Sequence, residues 1–378
     1  MRSDRTNTPF SALLEALSYA LDITEAQYKD AVNTYEAVGR HLARPDSLLA
    51  QYNPEILPQG SFMLGTMIQP IHEKDDLDID LVCQLTGKQD HWTQHDLKQA
   101  VGNQLKAHKS YRQMIKKPEG RRCWTLIFSG TINYHLDILP CIVDTGYRIL
   151  LKKAFAAGGI QEPNDLSLRI TYRRESNYQT ETNHLLWRKS NPFGYGQWFL
   201  QQAAQNMAKS FPFHESIRPV PQYKTDKLPL QRIVQILKRH RDVLFEGNED
   251  KPISIIITTL AARAYEQQAD IAQGLLEVVE RMLLFIEDRY STAHGRMIKW
   301  VENPVNPEEN FADKWPDTPS KQQHFYRWME RVKQDLNYAT SQQEMLPVRE
   351  ALADSFGKEA VAKAFSHVSG TRVRNRKS

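Results

Sequence analysis

Cysteine is scarce in this chain of 378 residues. Cys83, Cys123 and Cys141 stand singly, so neither a disulfide framework nor a CxxC-type zinc site can be assembled from them, and each reads as a small buried apolar side chain. Long apolar runs are missing too: none reaches the roughly 18 residues that a membrane span requires. The opening stretch MRSDRTNTPFSALLEALSYALDI has no signal-peptide apolar core and no small-residue cleavage site, so the expectation is a cytoplasmic protein with no membrane partner. Charge of one sign is not in excess. A net charge of +4 is too mild to announce a nucleic-acid binder, and any basic surface has to be local. No internal repeat is found. What remains, 40% hydrophobic and 25% charged, is the composition of a soluble globular protein with a substantial core and about two or three domain-sized units.

Thr24-Glu25-Ala26-Gln27 has the form of a capping box, with Ile23 placed to staple against Tyr28, and it opens a long helical pattern to about Leu42. Gly60-Ser61 and a short helical stretch precede an Asp-rich strand at 77–85. Residues 92–114 read as helix, and RRCWTLIFSGTINYHLDILPCIV reads as two strands broken at Ser129-Gly130, as in a hairpin. Loop-rich stretches follow, including QEPNDLS and RKSNPFGYG. Beyond them 229–246, 253–268, 270–289, 320–338 and 344–367 carry helical periodicity, with VENPVNPEENFADKW as a long loop. The expected fold is α+β and two-lobed. A mixed sheet with helices occupies 1–195, with a long N-terminal helix; a mostly helical lobe follows at 196–368, and a loose basic tail at 369–378.

Four aspartates fall within residues 75–80. In a strand, residues two apart share a face, so Asp78 and Asp80 point one way while Leu77, Ile79 and Leu81 point into the core. Ionised carboxylates side by side need cations, hydrogen bonds or open water. Hard oxygen ligands of this kind suit Mg²⁺ or Mn²⁺, which complete their shells with water and substrate phosphates. A third carboxylate is available in Asp137, flanked by Leu136 and Ile138 on a strand able to pair with the first. Asp76 is in phase with Asp78 and could replace it, but it follows the polar Glu73-Lys74-Asp75 rather than being bracketed by apolar residues. Gly60 lets backbone approach phosphate oxygens, and the Ser61 hydroxyl can bind them; Ser61 and Asp78 lie 17 positions apart, room for a short helix and a return to the strand.

A Gly-Ser motif, an hDhDh strand and a later lone Asp together resemble the polymerase-β-type nucleotidyltransferase superfamily. LPLQRIVQILKRHRDVLF, PISIIITTLAARAY and WRKSNPFGYGQWF narrow the resemblance to the bacterial cGAS-like nucleotidyltransferases (CD-NTases), the cyclic-oligonucleotide synthases of CBASS anti-phage defence, over about residues 20–330. The resemblance implies that Gly60 and Ser61 bind the donor triphosphate, that Asp78 and Asp80 carry two metal ions, and that Asp137 completes one metal's shell and helps to activate the acceptor hydroxyl. It implies further that Lys238 and Ser254 contact phosphate. Without it, Lys238 reads as an exposed lysine in the KRHR run and Ser254 as a helix cap after Pro252. The zinc-binding insertion of the animal DNA-sensing relatives has no counterpart among three cysteines, so activation by DNA through such a thumb is not expected.

The activity implied is the joining of nucleoside triphosphates, ATP or GTP, into a cyclic di- or trinucleotide messenger with release of pyrophosphate; the downstream effector need not touch the enzyme. Two rivals stand beside it. One is a transferase that extends RNA 3′ ends or linear oligonucleotides, and the other is an inactive nucleic-acid- or protein-binding module. The segment KAHKSYRQMIKKPEGRR at 106–122 is strongly basic and reads as a solvated helix face and hairpin approach, or as a contact for an acidic regulatory protein or nucleic acid.

Overall fold

The computed structural model describes residues 8–72, 75–130, 133–156, 166–204 and 223–375. Two helices come first, α1 (Pro9–Ala20) and α2 (Glu25–Leu42). The capping box that starts α2 forms as its sequence dictates: the Gln27 amide donates to Thr24 Oγ1 at 3.1 Å and the Thr24 amide to Gln27 Oε1 at 2.7 Å. After β1 (Glu55–Pro58) and the one-turn helix α3 (Gly60–Met63) comes the Asp-rich strand β2 (Leu77–Thr86). Helices α4 (Gln94–Ala107) and α5 (Lys109–Met114) lead to the hairpin of β3 (Trp124–Phe128) and β4 (Tyr134–Val143), followed by α6 (Tyr147–Ala156), β5 (Leu168–Ile170) and β6 (Lys189–Ser190).

The strands form one mixed sheet. β1 is antiparallel to β2, β2 is parallel to β4, and the far edge of β4 is shared by β3 on its first half and β5 on its second, with β6 beyond β5. Parallel pairing of β2 with β4 requires a long crossover, which α4, α5 and β3 supply. One face of the sheet, carrying Ile79, Leu81, Leu126 and Leu136, closes against α2 and α4 through Val38, Leu97 and Val101.

The second lobe holds α7 (Pro192–Ala204), α8 (Pro229–Leu244), α9 (Ser254–Ala264), α10 (Ile271–Arg281), α11 (Pro319–Ser341), α12 (Met345–Phe356) and α13 (Lys358–Asn375). Its core, with Phe193, Ile233, Leu237, Leu260, Trp328 and Phe356, extends to Val82, Leu139 and Cys141 on the other face of the sheet.

The α+β, two-lobed class is observed, but several boundaries move. A division at 195/196 falls inside α7, and α1 leaves the sheet to pack on α10 and α13 of the helical lobe. Chain continuity is a poor guide here because a helix joins whichever apolar surface covers its buried stripe. The expected loose tail is helical through Asn375, and residues 376–378 lie outside those described. Helix 270–289 stops at Arg281; one 3-10 turn then feeds a hairpin of β7 (Glu287–Ser291) and β8 (Arg296–Trp300). VENPVNPEENFADKW contains a small hairpin, β9 (Glu302–Asn303) with β10 (Asn306–Asn310), rather than loop alone. Most of QEPNDLS lies outside the described residues.

Candidate active site

β1 brings the Gly-Ser turn to the carboxylates. Its last residue pairs Pro58 with Leu81, the Gln59 amide donates to the Asp80 carbonyl at 2.8 Å, and the chain then turns at Gly60 with φ +58°. A Cβ at Gly60 would stand 2.5 Å from Asp80 Oδ2, so both the left-handed backbone and the close approach require glycine. The Ser61 hydroxyl makes no hydrogen bond among the described residues.

The parallel register then sets the acids. Asp80 lies opposite Asp137 and Asp78 opposite His135, while β3 places Thr125 opposite Asp137 from the other side. The Thr125 hydroxyl donates to Asp137 Oδ1. His135 stands between two carboxylates, with Nε2 2.8 Å from Asp76 Oδ2 and Nδ1 3.4 Å from Asp78 Oδ1. Asp76 itself lies one residue ahead of β2. Burial first, then the neighbouring Asp137 and Asp78 carboxylates, push Asp80 up to about 7 against the pull of Lys238. Asp78 reaches into the open cleft, yet its walls displace bulk water. Its carboxyl is also raised, by that burial first and, against His135, by Asp137. Among the described residues no three His, Cys, Asp or Glu side chains close to metal-ligand distances about one point.

The helical lobe supplies the opposite wall. Lys238 is not an exposed member of the KRHR run: it is buried, its ammonium donates to the Thr66 carbonyl at 2.9 Å, and it is pushed down to about 7, by burial first and then by Arg241. Ser254 is the first residue of α9 and its side chain caps nothing; its hydroxyl accepts from Arg241 Nη1 at 2.9 Å. Arg241 also donates to the Pro252 carbonyl at 3.0 Å and to Asp242 Oδ1 at 2.9 Å.

One cleft of about 1070 Å³ is lined by all seven residues singled out in the sequence: Gly60, Ser61, Asp78, Asp80, Asp137, Lys238 and Ser254. Ligand pockets run to about 300–1,000 Å³, so this cleft lies at the upper end of that range. Thr125, His135, Arg241, Arg122 and Tyr172 also line it and were not singled out. Thr125 could have been found, since it sits opposite Asp137 in the hairpin register. So could His135, which is in phase with Asp137 on the same strand, whereas Arg122, Tyr172 and Arg241 depend on long-range packing. The basic segment 106–122 is not solvated throughout, for Lys116, Arg121 and Arg122 at its end face the cleft.

Adjacent strands carrying carboxylates beside a Gly-Ser turn, faced by a helical lobe with a buried lysine, are the arrangement expected of a polymerase-β-type nucleotidyltransferase fold. The family model described as "Cyclic GMP-AMP synthase DncV-like, nucleotidyltransferase domain" matches residues 54–140. The chain is 28% identical over 371 residues to a c-di-GMP synthase of Roseivirga ehrenbergii, covering 96% of this chain and 88% of that protein. It is 23% identical over 402 residues to the cyclic dinucleotide synthase CdnG of Bradyrhizobium diazoefficiens, covering 99% of this chain and 88% of that protein. The structure of that CD-NTase in complex with GTP superposes with a TM-score of 0.70 at 20% identity, over 97% of this chain and all of the other. Escherichia coli CdnC in its complex with HORMA-deltaN superposes with a TM-score of 0.58 at 12% identity, over 94% of this chain and 98% of that one. Over nearly its whole length the chain is thus similar to cyclic dinucleotide synthases and shares the CD-NTase fold, as its motifs led one to expect. No helix among the described residues is long and apolar enough to cross a membrane.

Proposed function

We propose that this protein joins nucleoside triphosphates, ATP or GTP, into a cyclic di- or trinucleotide that serves as a messenger in anti-phage defence. The observation that carries the chemistry is the register pairing of Asp80 with Asp137 beside the Gly60-Ser61 turn, in a cleft closed on its other side by Lys238 and Ser254. The messenger role rests on the resemblance to the CD-NTases, and a regulatory protein partner is suggested by the complex of E. coli CdnC with HORMA-deltaN.

The residues fit Mg²⁺ or Mn²⁺: a buried carboxylate raised by two like-charged neighbours is the environment a divalent cation relieves, and carboxylate oxygens are the hard donors such a cation takes. Asp78, Asp80 and Asp137 would hold it, and when bound it would stabilise charge on the attacking and leaving oxygens. The chain's own groups do the positioning. Gly60 admits the triphosphate against backbone, the Ser61 hydroxyl donates to a phosphate oxygen, Lys238 supplies a point charge, and Ser254 donates once Arg241 has fixed its oxygen. The acceptor hydroxyl oxygen bonds to the donor α-phosphorus while the bond from that phosphorus to the β-phosphate bridging oxygen breaks. Pyrophosphate leaves and the hydroxyl proton passes to Asp137 or to water. A second attack by the linear intermediate closes the ring.

The test is to incubate purified protein with each labelled triphosphate and Mg²⁺ and to chromatograph after phosphatase treatment. Phosphatase-resistant products of two or three nucleotides, formed without primer, are expected. Linear phosphatase-sensitive chains alone, or a strict need for an RNA 3′ end, would overturn ring formation in favour of RNA extension; no incorporation under any condition would leave a binding module.

A further inference from the structure

The three carboxylates of the cleft are supported differently. Asp137 accepts from the Thr125 hydroxyl, and Asp80 lies close under Gly60. Among the described residues Asp78 accepts no hydrogen bond; set against its Oδ1, at 3.4 Å, is the Nδ1 atom of the His135 imidazole. The parallel register makes that neighbour. Asp78 pairs with His135 as Asp80 pairs with Asp137, so these side chains stand two by two on one face of β2 and β4, and all four line the cleft. Three of the four are oxygen donors, and the fourth is a nitrogen donor.

The imidazole is held from outside this block. Asp76 Oδ2 lies 2.8 Å from Nε2, which places the proton of the neutral ring on Nε2 and turns the Nδ1 lone pair toward Asp78. An acceptor nitrogen then faces an acceptor oxygen, and a cation is what draws two such atoms together. A carboxylate on one ring nitrogen, with the other nitrogen turned into a site, is how a metal-binding histidine is oriented. The spacing suits that role. Neighbouring donors of an octahedral cation at about 2.0–2.1 Å stand about 3 Å apart. Closing the observed 3.4 Å onto one ion therefore takes side-chain adjustment and no backbone movement. Asp76, in phase with Asp78 and a rival for its place, is accounted for in the same way: its carboxylate faces the ring.

Resting on the nucleotidyltransfer reading above, we propose that His135 Nδ1 is a fourth protein donor to the metal ion carried by Asp78, with Asp76 as the residue that positions the ring, and that the site thereby favours Mn²⁺ over Mg²⁺. Carboxylate and phosphate oxygens suit both ions, so they separate them poorly. Imidazole nitrogen does separate them, because Mg²⁺ keeps to oxygen and gives up its water reluctantly, whereas first-row divalent ions accept nitrogen more readily.

The probe is Mn²⁺ itself, one equivalent added to the purified full chain with inorganic triphosphate, which brings phosphate oxygens and no nitrogen. The EPR signal of free Mn²⁺ measures binding, and pulsed EPR detects nitrogen nuclei bonded to the ion. Bound Mn²⁺ should show a ¹⁴N coupling that becomes a ¹⁵N coupling in protein carrying ¹⁵N-histidine. His135 is the one histidine among the described residues lining the cleft, and His135→Ala should abolish the coupling. The ratio of the Mg²⁺ to the Mn²⁺ dissociation constant should fall about tenfold in that variant, and Asp76→Asn should weaken Mn²⁺ binding about tenfold. Asp80→Asn should lose bound Mn²⁺, which locates the ion. Bound Mn²⁺ with no histidine coupling in wild type overturns the nitrogen donor and leaves the carboxylate site standing; that is the result if the ring only bridges Asp76 and Asp78 as a cation. A coupling that survives in folded His135→Ala overturns it too. Should His135→Ala fail to fold, the labelled wild type decides alone. Wild type that binds no Mn²⁺ overturns the proposal together with the metal-site reading beneath it.

Discussion

Asp80 is a carboxylate kept where an uncharged side chain would fold better. Its ordinary value is 3.8 and its folded value about 7, so the native state favours the protonated acid. That contribution is whole below about pH 4 and is lost as pH rises through 7, because the unfolded chain ionises freely while the folded one does so at a cost. The full shift corresponds to about 4 kcal/mol, and cleft water reduces it to about 1–3 kcal/mol. Without divalent cations, Asp80→Asn should therefore melt above wild type at pH 8 and equal to it near pH 4, while synthesis is lost. Wild type matching the variant at pH 8 would mean that Asp80 is hydrated rather than held against its neighbours. Lys238, pushed down to about 7 on the facing wall, is the cationic counterpart: it too loses stability by being charged in the cleft, a cost that an anionic ligand there would offset. Lys238→Ala and Ser254→Ala should each raise the KM for triphosphate about tenfold with little change in melting temperature; unchanged KM in both would remove them from the donor site.

Among the elements, the seat of α4 on β3 helps to fix where Thr125 stands. Trp124 fills it, with its indole nitrogen donating to the Lys98 carbonyl at 2.7 Å and Lys106 over the ring at 4.4 Å. Gly102 is the floor of that seat: a Cβ there would fall 2.2 Å from Trp124 Cζ2, too close for any rotamer adjustment of a ring so enclosed. Gly102→Ala should cost about 1–3 kcal/mol by overpacking despite the gain in helix propensity. Gly274 in α10 is the contrast, since its added Cβ would come too close only to the flexible end of Ile233 at 2.9 Å, with Gln268 and Tyr265 at an ordinary 3.5 Å, and Gly274→Ala should change stability by under about 1 kcal/mol. Urea midpoints of the two variants measure the difference. Equal midpoints would show that the Trp124 seat yields as readily as an isoleucine tip.

Over the whole molecule, the lobes are joined by the polar side of α8. Gln231 donates to the Leu64 carbonyl at 2.7 Å, Gln235 to Met67 at 2.7 Å, Lys238 to Thr66 at 2.9 Å and Arg239 to Gln69 at 2.5 Å, so one helix reads out the carbonyls of the segment between the Gly-Ser turn and the Asp-rich strand. Asp22, at the junction of α1 and α2, pins the same helix by accepting from Arg232 at 2.6 Å, from Gln235 at 2.9 Å and from Lys227. Removing that carboxylate strands a fully buried guanidinium, so Asp22→Ala should cost about 3 kcal/mol, seen as a lowered denaturant midpoint, and Asp22→Asn less. A loss below about 1 kcal/mol would mean that the seam does not depend on the Asp22 carboxylate.

Local signals were enough for much of this protein. The capping box at Thr24, the period-two pattern placing Asp78 and Asp80 on one face, the break at Ser129-Gly130 and the turn at Gly60 are all properties of neighbours in the chain, and their physics is settled within a few residues. That Asp137 belongs with them could be anticipated from its apolar flanks, but only the parallel register puts it opposite Asp80. The burial of Lys238, the passage of α1 to the helical lobe, the hairpins beyond Arg281 and the placing of Arg122 over Tyr172 were out of reach of the sequence. Each depends on which apolar face finds which partner across tens or hundreds of residues. Such contacts leave no periodicity of their own, because a lysine in a basic run has the same neighbours in sequence whether its helix face meets water or the wall of a cleft.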